Sequence, residues 1–528
     1  MKKLLLVICV VATFGYVKAQ SVPGTLDTSF GNNGTVVESV YNFEALTTGE
    51  PPVAIQSDGK ILTATHRLMF TKERGLLSEL LVMRHNPDGT IDPTYGENGY
   101  AFIAPRDVRY FCWNCELVED DNLILVGYTY DPEESGNLFM TKLDNNGNVV
   151  TSFGVNGYVV YENNGTMNIR NSVMQPDGKI LLVGTYNDNF CILRYLPNGQ
   201  LDPSFADGGT FVHTLYFDGG FLPSYGECID VDAEGNIYAG GWYVWNDGIY
   251  LSQYDCEMLC LDGNGNINTS FGDNGLLQFP IGEVADFILG LKVLDDGKIL
   301  FFGHTETFVE EEGQGAMYNI YVGKMFPDGS FDGEFGDNGI SIEHFVEDFA
   351  HYGRKMTVAD NGQVFVGGYR FGNTKDMMIV NFLPDGSLNE DFGHEGIFIN
   401  EVPGHFTAAT DVTIQSDGKL VFVGSHEDAP DYIDYYLGRI HTDFEGVGIN
   451  ENETVNVISV YPNPATDEVH FDGVQDNCVA NVYDMSGRLV MRSVVMSDGV
   501  MNVSKLAAGN YSVMLVSGDE VFKARFVK

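Results

Sequence analysis

The chain has 528 residues with 74 acidic against 29 basic side chains, a net charge of −45 that argues against nucleic acid and anionic membrane surfaces as partners. Its 62 glycines, 35 phenylalanines and 27 tyrosines suit many short strands joined by tight turns, so the expected class is all-β. The length exceeds one ordinary core, and a large repeat domain followed by a small one is expected.

The N-terminus has the pattern of a signal peptide over residues 1–19. Lys2 and Lys3 give the positive start, Leu4 to Phe14 the apolar stretch, and Val17-Lys18-Ala19 the small-residue cleavage site, so the mature chain begins near Gln20. Ile8 is too bulky for the lipobox that Cys9 would otherwise suggest. Loss of Lys2, Lys3 and Lys18 takes the net charge to −48. No later apolar run approaches the roughly 20 residues of a membrane helix, so no transmembrane segment is expected.

The string LDTSFGNNG from Leu26 returns from Ile91, Val149, Leu201, Ile267, Phe331 and Leu388, making seven copies. Between copies run hairpin strings of the QPDGKILLVG type, from Gln56, Asp120, Gln175, Asp232, Leu294, Ala359 and Gln415. Asp-Gly and Asn-Gly between apolar runs are strong hairpin signals. A third piece, a strand ending in a turn, begins at Arg84, Lys142, Arg194, Cys260, Lys324 and Asn381 and degenerates at Arg439. The third repeat predicts four strands, A to D: Asn171 to Gln175, Lys179 to Thr185, Phe190 to Leu196 and Thr210 to Leu215. Repeated four-stranded sheets predict a seven-bladed β-propeller over residues 20–445. The mature chain opens on a D strand, Thr35 to Val40, and its last repeat lacks one, so the N-terminal strand is expected to pair near Leu437 to His441 and close the ring. These strings resemble the delta-60 repeat family of bacterial surface proteins, which implies a propeller with no activity established for the repeat itself.

Residues 446–456 read as a linker, and 457–528 as a small β-sandwich with alternating apolar residues and Pro-Asn-Pro, Ser-Gly and Ala-Gly-Asn turns. Within it, Tyr461-Pro462-Asn463-Pro464, the Asp484 to Arg488 string with Gly487, Gly509-Asn510-Tyr511 and the basic ending from Lys523 to Lys528 resemble the type A sorting domain of the type IX secretion system. The resemblance implies a tag that the type IX machinery recognises after passage through the periplasm, usually cleaved after crossing the outer membrane. It also implies a Bacteroidetes-type source and a secreted or outer-membrane surface protein.

The turns A to B and C to D share one side of the expected ring, and the irregular B to C and D to A connections share the other. The B to C connections are expected as loops: His66 to Glu79, Tyr243 to Cys256, His304 to Asn319 and His426 to Tyr435. Trp113, Trp242 and Trp245 fall in or beside that side, with Tyr243, Tyr250, Tyr254, Tyr318, Phe371, Tyr432, Tyr435 and Tyr436. Such rings stack on sugars or anchor proteins, or simply cap blade cores. Trp113, Trp242, Tyr243 and Trp245 are the ligand-binding candidates.

His66, His304 and His426 end B strands, but no zincin motif accompanies them, and no metal is expected. The turn Asp262 to Asn268 offers calcium-type oxygens yet lacks the glutamate of an EF-hand. Of seven cysteines in the mature chain, Cys112/Cys115 and Cys256/Cys260 are close enough in sequence for one local disulfide. No GxSxG elbow, Cys/His nucleophile or phosphate loop is present. The reading is a binding or display protein for a glycan or protein ligand, without catalytic residues or cofactor; the alternative is a polysaccharide-active or other extracellular hydrolase.

Overall fold

The computed structural model describes residues 22–38, 51–71, 75–103, 109–131, 134–161, 165–217, 220–245, 253–307, 317–343, 350–372, 375–402, 406–429, 432–443, 456–457, 460–471, 479–483, 489–495, 499–506, 509–517 and 520–528. The leader, residues 446–455 of the linker, the Asp484 to Arg488 string and Tyr250 lie outside these. The chain divides into two compact units, Met1–Gly446 and Val447–Lys528.

The first unit repeats one antiparallel four-stranded sheet, its strands hydrogen-bonded in chain order. The third repeat shows the logic: Met167–Met174, Ile180–Tyr186, Asn189–Tyr195 and Thr210–His213. Its first hairpin is closed by Gln175 N to Lys179 O at 2.8 Å and Gly178 N to Gln175 O at 2.8 Å, with the Asp177 carboxylate accepting from Lys179 N. This is the turn the Asp-Gly string predicts. The first strand starts four residues before the expected Asn171, because a β-bulge between Ile169 and Asn171 interrupts the alternation on which a strand is recognised. A one-residue parallel bridge, Tyr254 to Ala285, joins the fourth and fifth sheets into one eight-stranded set.

The expected B to C loops are corrected. Ile61–Thr71 and Gly75–His85 pair from end to end as one long hairpin, so His66 to Thr71 and Gly75 to Glu79 lie in the ladder. Strand likewise runs on to Trp245, Thr307 and Ala429 and resumes at Gln253, Met317 and Tyr432. Tyr435 and Tyr436 are core residues, not surface aromatics.

Apolar cores lie between successive sheets. Leu62, Leu80 and Tyr95 of the first pack on Tyr110, Leu125 and Phe139 of the second, and Phe30, Ile61 and Met83 pack on Val421, Val423 and Leu437 of the last. The repeated Phe-Gly string latches each sheet to the next. The aromatic ring is buried, and the following N–H donates to a turn carbonyl of the following sheet: Gly31 to Asp88, Gly96 to Asn146, Gly154 to Asn198, Ala206 to Asn264, Gly272 to Asp328 and Gly336 to Asp385, at 2.7–2.9 Å. Gly31 holds φ +50°, and a Cβ there would meet Thr35 O at 2.4 Å.

The N-terminal strand Thr35–Glu38 pairs antiparallel with Tyr432–Ile440, Val36 opposite Leu437, as the phase of the repeat predicts. The exchange reaches further than one strand. Gly393 N donates to Pro23 O at 3.1 Å, Gly24 N to His441 O at 2.7 Å and His441 N to Thr25 O at 2.9 Å. Val22-Pro23-Gly24-Thr25 thus replaces the degenerate last turn. Gly24 holds φ +72° with its Cα so close that a Cβ would lie 2.0 Å from Gly393 N, which only glycine permits.

The six described cysteines are buried and free, which corrects the expected local disulfide. Cys256 and Cys260 lie on one strand, Gln253–Leu261, about 13 Å apart at ~3.3 Å per residue, beyond the roughly 7 Å a disulfide spans. Cys112 and Cys115 share Arg109–Val118 in the same way.

His85 marks a local conflict. It occupies the position filled by Leu143, Tyr195 and Leu261 in other repeats, each bridging to the apolar residue after its turn. It is fully buried against Tyr435, and neither ring nitrogen has a hydrogen-bond partner among the described residues. Burial lowers its pKa to about 4. His85→Leu is expected to stabilise the protein by about 1–3 kcal/mol, read as a higher urea midpoint at pH 7.

In the second unit a five-stranded sheet, from Asn456–Val457 to Glu520–Val527, and a three-stranded sheet, Val460–Tyr461, Glu468–Phe471 and Val500–Asn502, enclose Val469, Phe471, Val482, Met501, Leu515 and Phe526.

Candidate functional site

The bulge of the third repeat recurs in the first strand of six sheets, between Cys112 and Asn114, Ile169 and Asn171, Gly226 and Cys228, Ile288 and Gly290, Gly353 and Lys355, and Ala409 and Asp411. A bulge opposes two residues to one and re-aims the extra side chain. Trp113, Arg170, Glu227, Leu289 and Arg354, one from each of five sheets, meet with Lys355 around a cavity of about 170 Å³. The sixth, Thr410, instead donates its hydroxyl to Pro51 O at 2.9 Å. First strands of neighbouring sheets pack on one another, so bulges in register bring residues far apart in sequence to one place.

Arg170 lies over the Trp113 ring, 5.4 Å from its centroid, and its Nε is 3.5 Å from Glu227. Trp113 Nε1 is buried with no hydrogen-bond partner among the described residues. Beyond Trp113 on the same strand, Asn114 Nδ2 donates to Asn171 Oδ1 at 2.9 Å and Glu116 Oε1 at 3.0 Å. Burial raises the Glu116 carboxyl to about 7, against the opposing pull of Lys355 and of the Asn114 hydrogen bond. A larger depression, about 450 Å³ beside Phe331 and Ile340, has Asp337 as its one ionisable lining residue and gathers no comparable chemistry.

Two residues before three of the bulges, towards the B to C end, Tyr225, Phe287 and Tyr352 form a belt of half-buried rings with Trp242, His304 and Tyr369 of the second strands. Tyr225 stacks on Trp242 at 4.1 Å, Trp242 meets Phe287 at 5.4 Å, Phe287 meets His304 at 4.8 Å, His304 meets Tyr352 at 5.8 Å, and Tyr352 stacks on Tyr369 at 5.0 Å. Arg354 Nη2 donates to the Tyr369 hydroxyl at 3.3 Å, and Lys375 Nζ lies 4.5 Å from that ring centroid. Phe111 and Tyr128 form a separate stack beside Trp113.

The structure separates the four candidates read from the sequence. Trp242 belongs to the belt and Trp113 to the cavity. Tyr243 and Trp245 are on the opposite face of their strand, Ile237–Trp245, from Trp242, as alternation requires. The Tyr243 hydroxyl lies 3.4 Å from Asp255. His66 and His304 hold the register of Trp242 in different sheets, and His426 is one position further on. Among the described residues, no three His, Cys, Asp or Glu side chains are grouped to hold a metal. Asp262 spends its carboxylate on its own turn, accepting from Asn264 N and Asn266 N at 2.8 and 2.9 Å, so it is not a free calcium ligand. Arg170, Glu227, Arg354 and Lys355 escaped the sequence reading. Their only signal was the column itself, one residue repeatedly out of phase.

In the second unit, Asn463, Gly509 and Tyr511 of the sorting motifs all meet the C-terminal segment. Asn463 Oδ1 accepts from Val527 N at 2.9 Å, Gly509 and Lys528 exchange backbone hydrogen bonds at 2.9 and 3.0 Å, and Tyr511 stacks on Phe526 at 5.4 Å. Residues 459–528 match the family described as the secretion system C-terminal sorting domain. This segment is a type IX secretion sorting domain. The protein is therefore secreted or displayed on the cell surface, and the type IX machinery is a partner. Among the described residues no helix is long and apolar enough to cross a membrane. Residues 175–205 match a β-propeller domain of unknown function, DUF5122, so the repeat is of propeller type and the fold all-β.

The chain is similar to a protein of unknown function from Dyadobacter fermentans, with 12% identity, TM-score 0.40, and coverage of 77% of this chain and 98% of that one. It is also similar to an alpha-L-arabinanase from Penicillium chrysogenum complexed with arabinobiose, at 10% identity and TM-score 0.40, covering 78% and 99%. A polysaccharide lyase of the PL25 ulvan lyase family is similar at 9% identity and TM-score 0.43, covering 77% and 94%. No curated protein sequence matches the chain.

Proposed function

We propose that the repeats form a seven-bladed propeller over residues 20–445, carried to the cell exterior by a β-sandwich tag over residues 457–528, and that the propeller binds a glycan. The observation carrying this reading is the convergence of five bulged side chains on one cavity, beside a belt of half-buried rings. A bulge costs ladder hydrogen bonds, and repeating it at one register serves the cavity rather than the sheet. Aromatic faces with cations and amides nearby suit sugar rings, which offer apolar faces and hydroxyl edges.

A glycan array followed by titration calorimetry tests the reading with the mature, exported protein. Trp113→Ala and Trp242→Ala are each expected to weaken binding by about tenfold or more. Unchanged affinity in both would remove the cavity and belt from the account. Glu116, with its carboxyl raised to about 7, is the observation favouring the hydrolase alternative, since a carboxyl protonated near neutrality suits a general acid. Release of reducing ends that stops in Glu116→Gln would establish that alternative.

A further inference from the structure

Resting on that glycan reading, we propose that the cavity at the bulges is an anion subsite, which takes the carboxylate or sulfate of an acidic sugar residue. The charge distribution is the first argument. Lys and Arg number 29 against 74 acids, yet Arg170, Arg354 and Lys355 line one cavity from two sheets, facing Glu227 as the one carboxylate in its lining. Glu227 pairs with Arg170 and Glu116 feels the charge of Lys355, yet the lining itself presents three cations to one carboxylate. A ligand of opposite charge matches that excess of cations in the lining.

The hydrogen-bond inventory is the second argument. The lining is rich in donors, two guanidinium groups and one ammonium, beside the Trp113 ring. Lys355 has no ion-pair partner within 4 Å among the described residues. Guanidinium and ammonium groups can only donate, so the complement is a group that accepts and carries negative charge. Carboxylate and sulfate satisfy both conditions, and a neutral hydroxyl satisfies neither in full. The volume, about 170 Å³, corresponds to roughly six waters and admits one sugar ring rather than a polymer turn.

Access follows from exposure. Arg354 is exposed and the Arg170 side chain is 36% exposed, so the cations reach solvent while Trp113 backs the cavity. The belt would then stack neighbouring sugar units, leaving the charged unit to the cavity.

The test compares a glucuronate-containing oligosaccharide with the same oligosaccharide after carboxyl reduction, by calorimetry on the mature full chain at pH 7. Reduction is expected to weaken binding by about tenfold or more. In Lys355→Gln and, separately, Arg354→Gln, the difference is expected to shrink to about threefold or less. Thermal melts of both variants within a few degrees of the parent show that the fold is kept. Equal affinity for the two oligosaccharides overturns the anion subsite while leaving glycan binding intact. Acetate binding as tightly as the glucuronate sugar overturns the saccharide source and leaves a simple carboxylate site. Unchanged discrimination in both variants overturns the assignment to this cavity.

Discussion

Arg439→Ala is expected to destabilise the protein by about 3–5 kcal/mol and to free the N-terminal segment, read as a lower urea midpoint and early proteolysis before residue 38. The side chain is the rivet of the closing seam. Its Nε donates to Asp27 Oδ2 at 2.9 Å, its Nη1 to Pro87 O at 2.5 Å and Gln415 Oε1 at 3.1 Å, and its plane covers the buried Phe30 ring at 4.7 Å. Those partners come from the N-terminal segment, the first sheet and the last. Burial alone would raise the Asp27 carboxyl, but the Ser29 hydroxyl, the Arg439 charge and Lys419 together hold it well below the usual carboxylate range. Truncating Arg439 leaves a carboxylate that is 3% exposed and short of its main counter-ion. Lys419 Nζ, 3.1 Å from Asp27, remains and places the loss at the lower end of the range. Arg84→Ala is the control. It breaks the same pattern, with Asp92 at 2.8 Å and Asn145 O at 2.6 Å, inside the continuous chain. A comparable loss of stability without release of the N-terminus is expected there.

The seam was legible in the sequence because turn chemistry keeps its phase over long insertions. Asp-Gly and Phe-Gly fix φ > 0 positions and a buried ring, and these tolerate little variation even where the repeats differ in length. The replacement of the last turn by Val22 to Thr25 had a signal too, since Pro23-Gly24-Thr25-Leu26-Asp27 parallels Asp88-Gly89-Thr90-Ile91-Asp92. Starting the repeat at Leu26 hides that parallel. The cavity was not legible. A bulge adds one residue to a period of two, so Trp113 and Arg170 read as strand ends or loop rather than as a column. The long hairpin arms around His66 and Glu79 read as loops because their strands, Ile61–Thr71 and Gly75–His85, outrun those of the third repeat, Ile180–Tyr186 and Asn189–Tyr195.

Glu257→Gln is expected to raise stability by about 3 kcal/mol at pH 8 and by almost nothing at pH 4.5, measured by urea unfolding at the two pH values. Glu257 is fully buried on Gln253–Leu261, opposite Gly241 and Gln278. Its Oε2 accepts from Gln278 Nε2 at 2.9 Å, while Oε1 has no partner among the described residues. Burial raises the carboxyl from its ordinary 4.5 to about 7, and the Gln278 hydrogen bond only partly opposes that. The unfolded chain gives up this proton near 4.5 and the folded chain near 7. Between those values the folded state holds the extra proton, so its stability is full below 4.5, falls as pH rises to 7 and is level above. Glutamine keeps the shape and the Gln278 contact without an ionisable proton, which removes the slope. Glu116 has the same sign, but it lies next to the cavity and its substitution would also change binding; Glu257 isolates the stability term. The buried His66 and His304, lowered by burial to about 4 and about 3, act in the other direction. Each costs stability as pH falls below its ordinary 6.5, so the Glu257→Gln protein is expected to keep its acid limb while losing its neutral one.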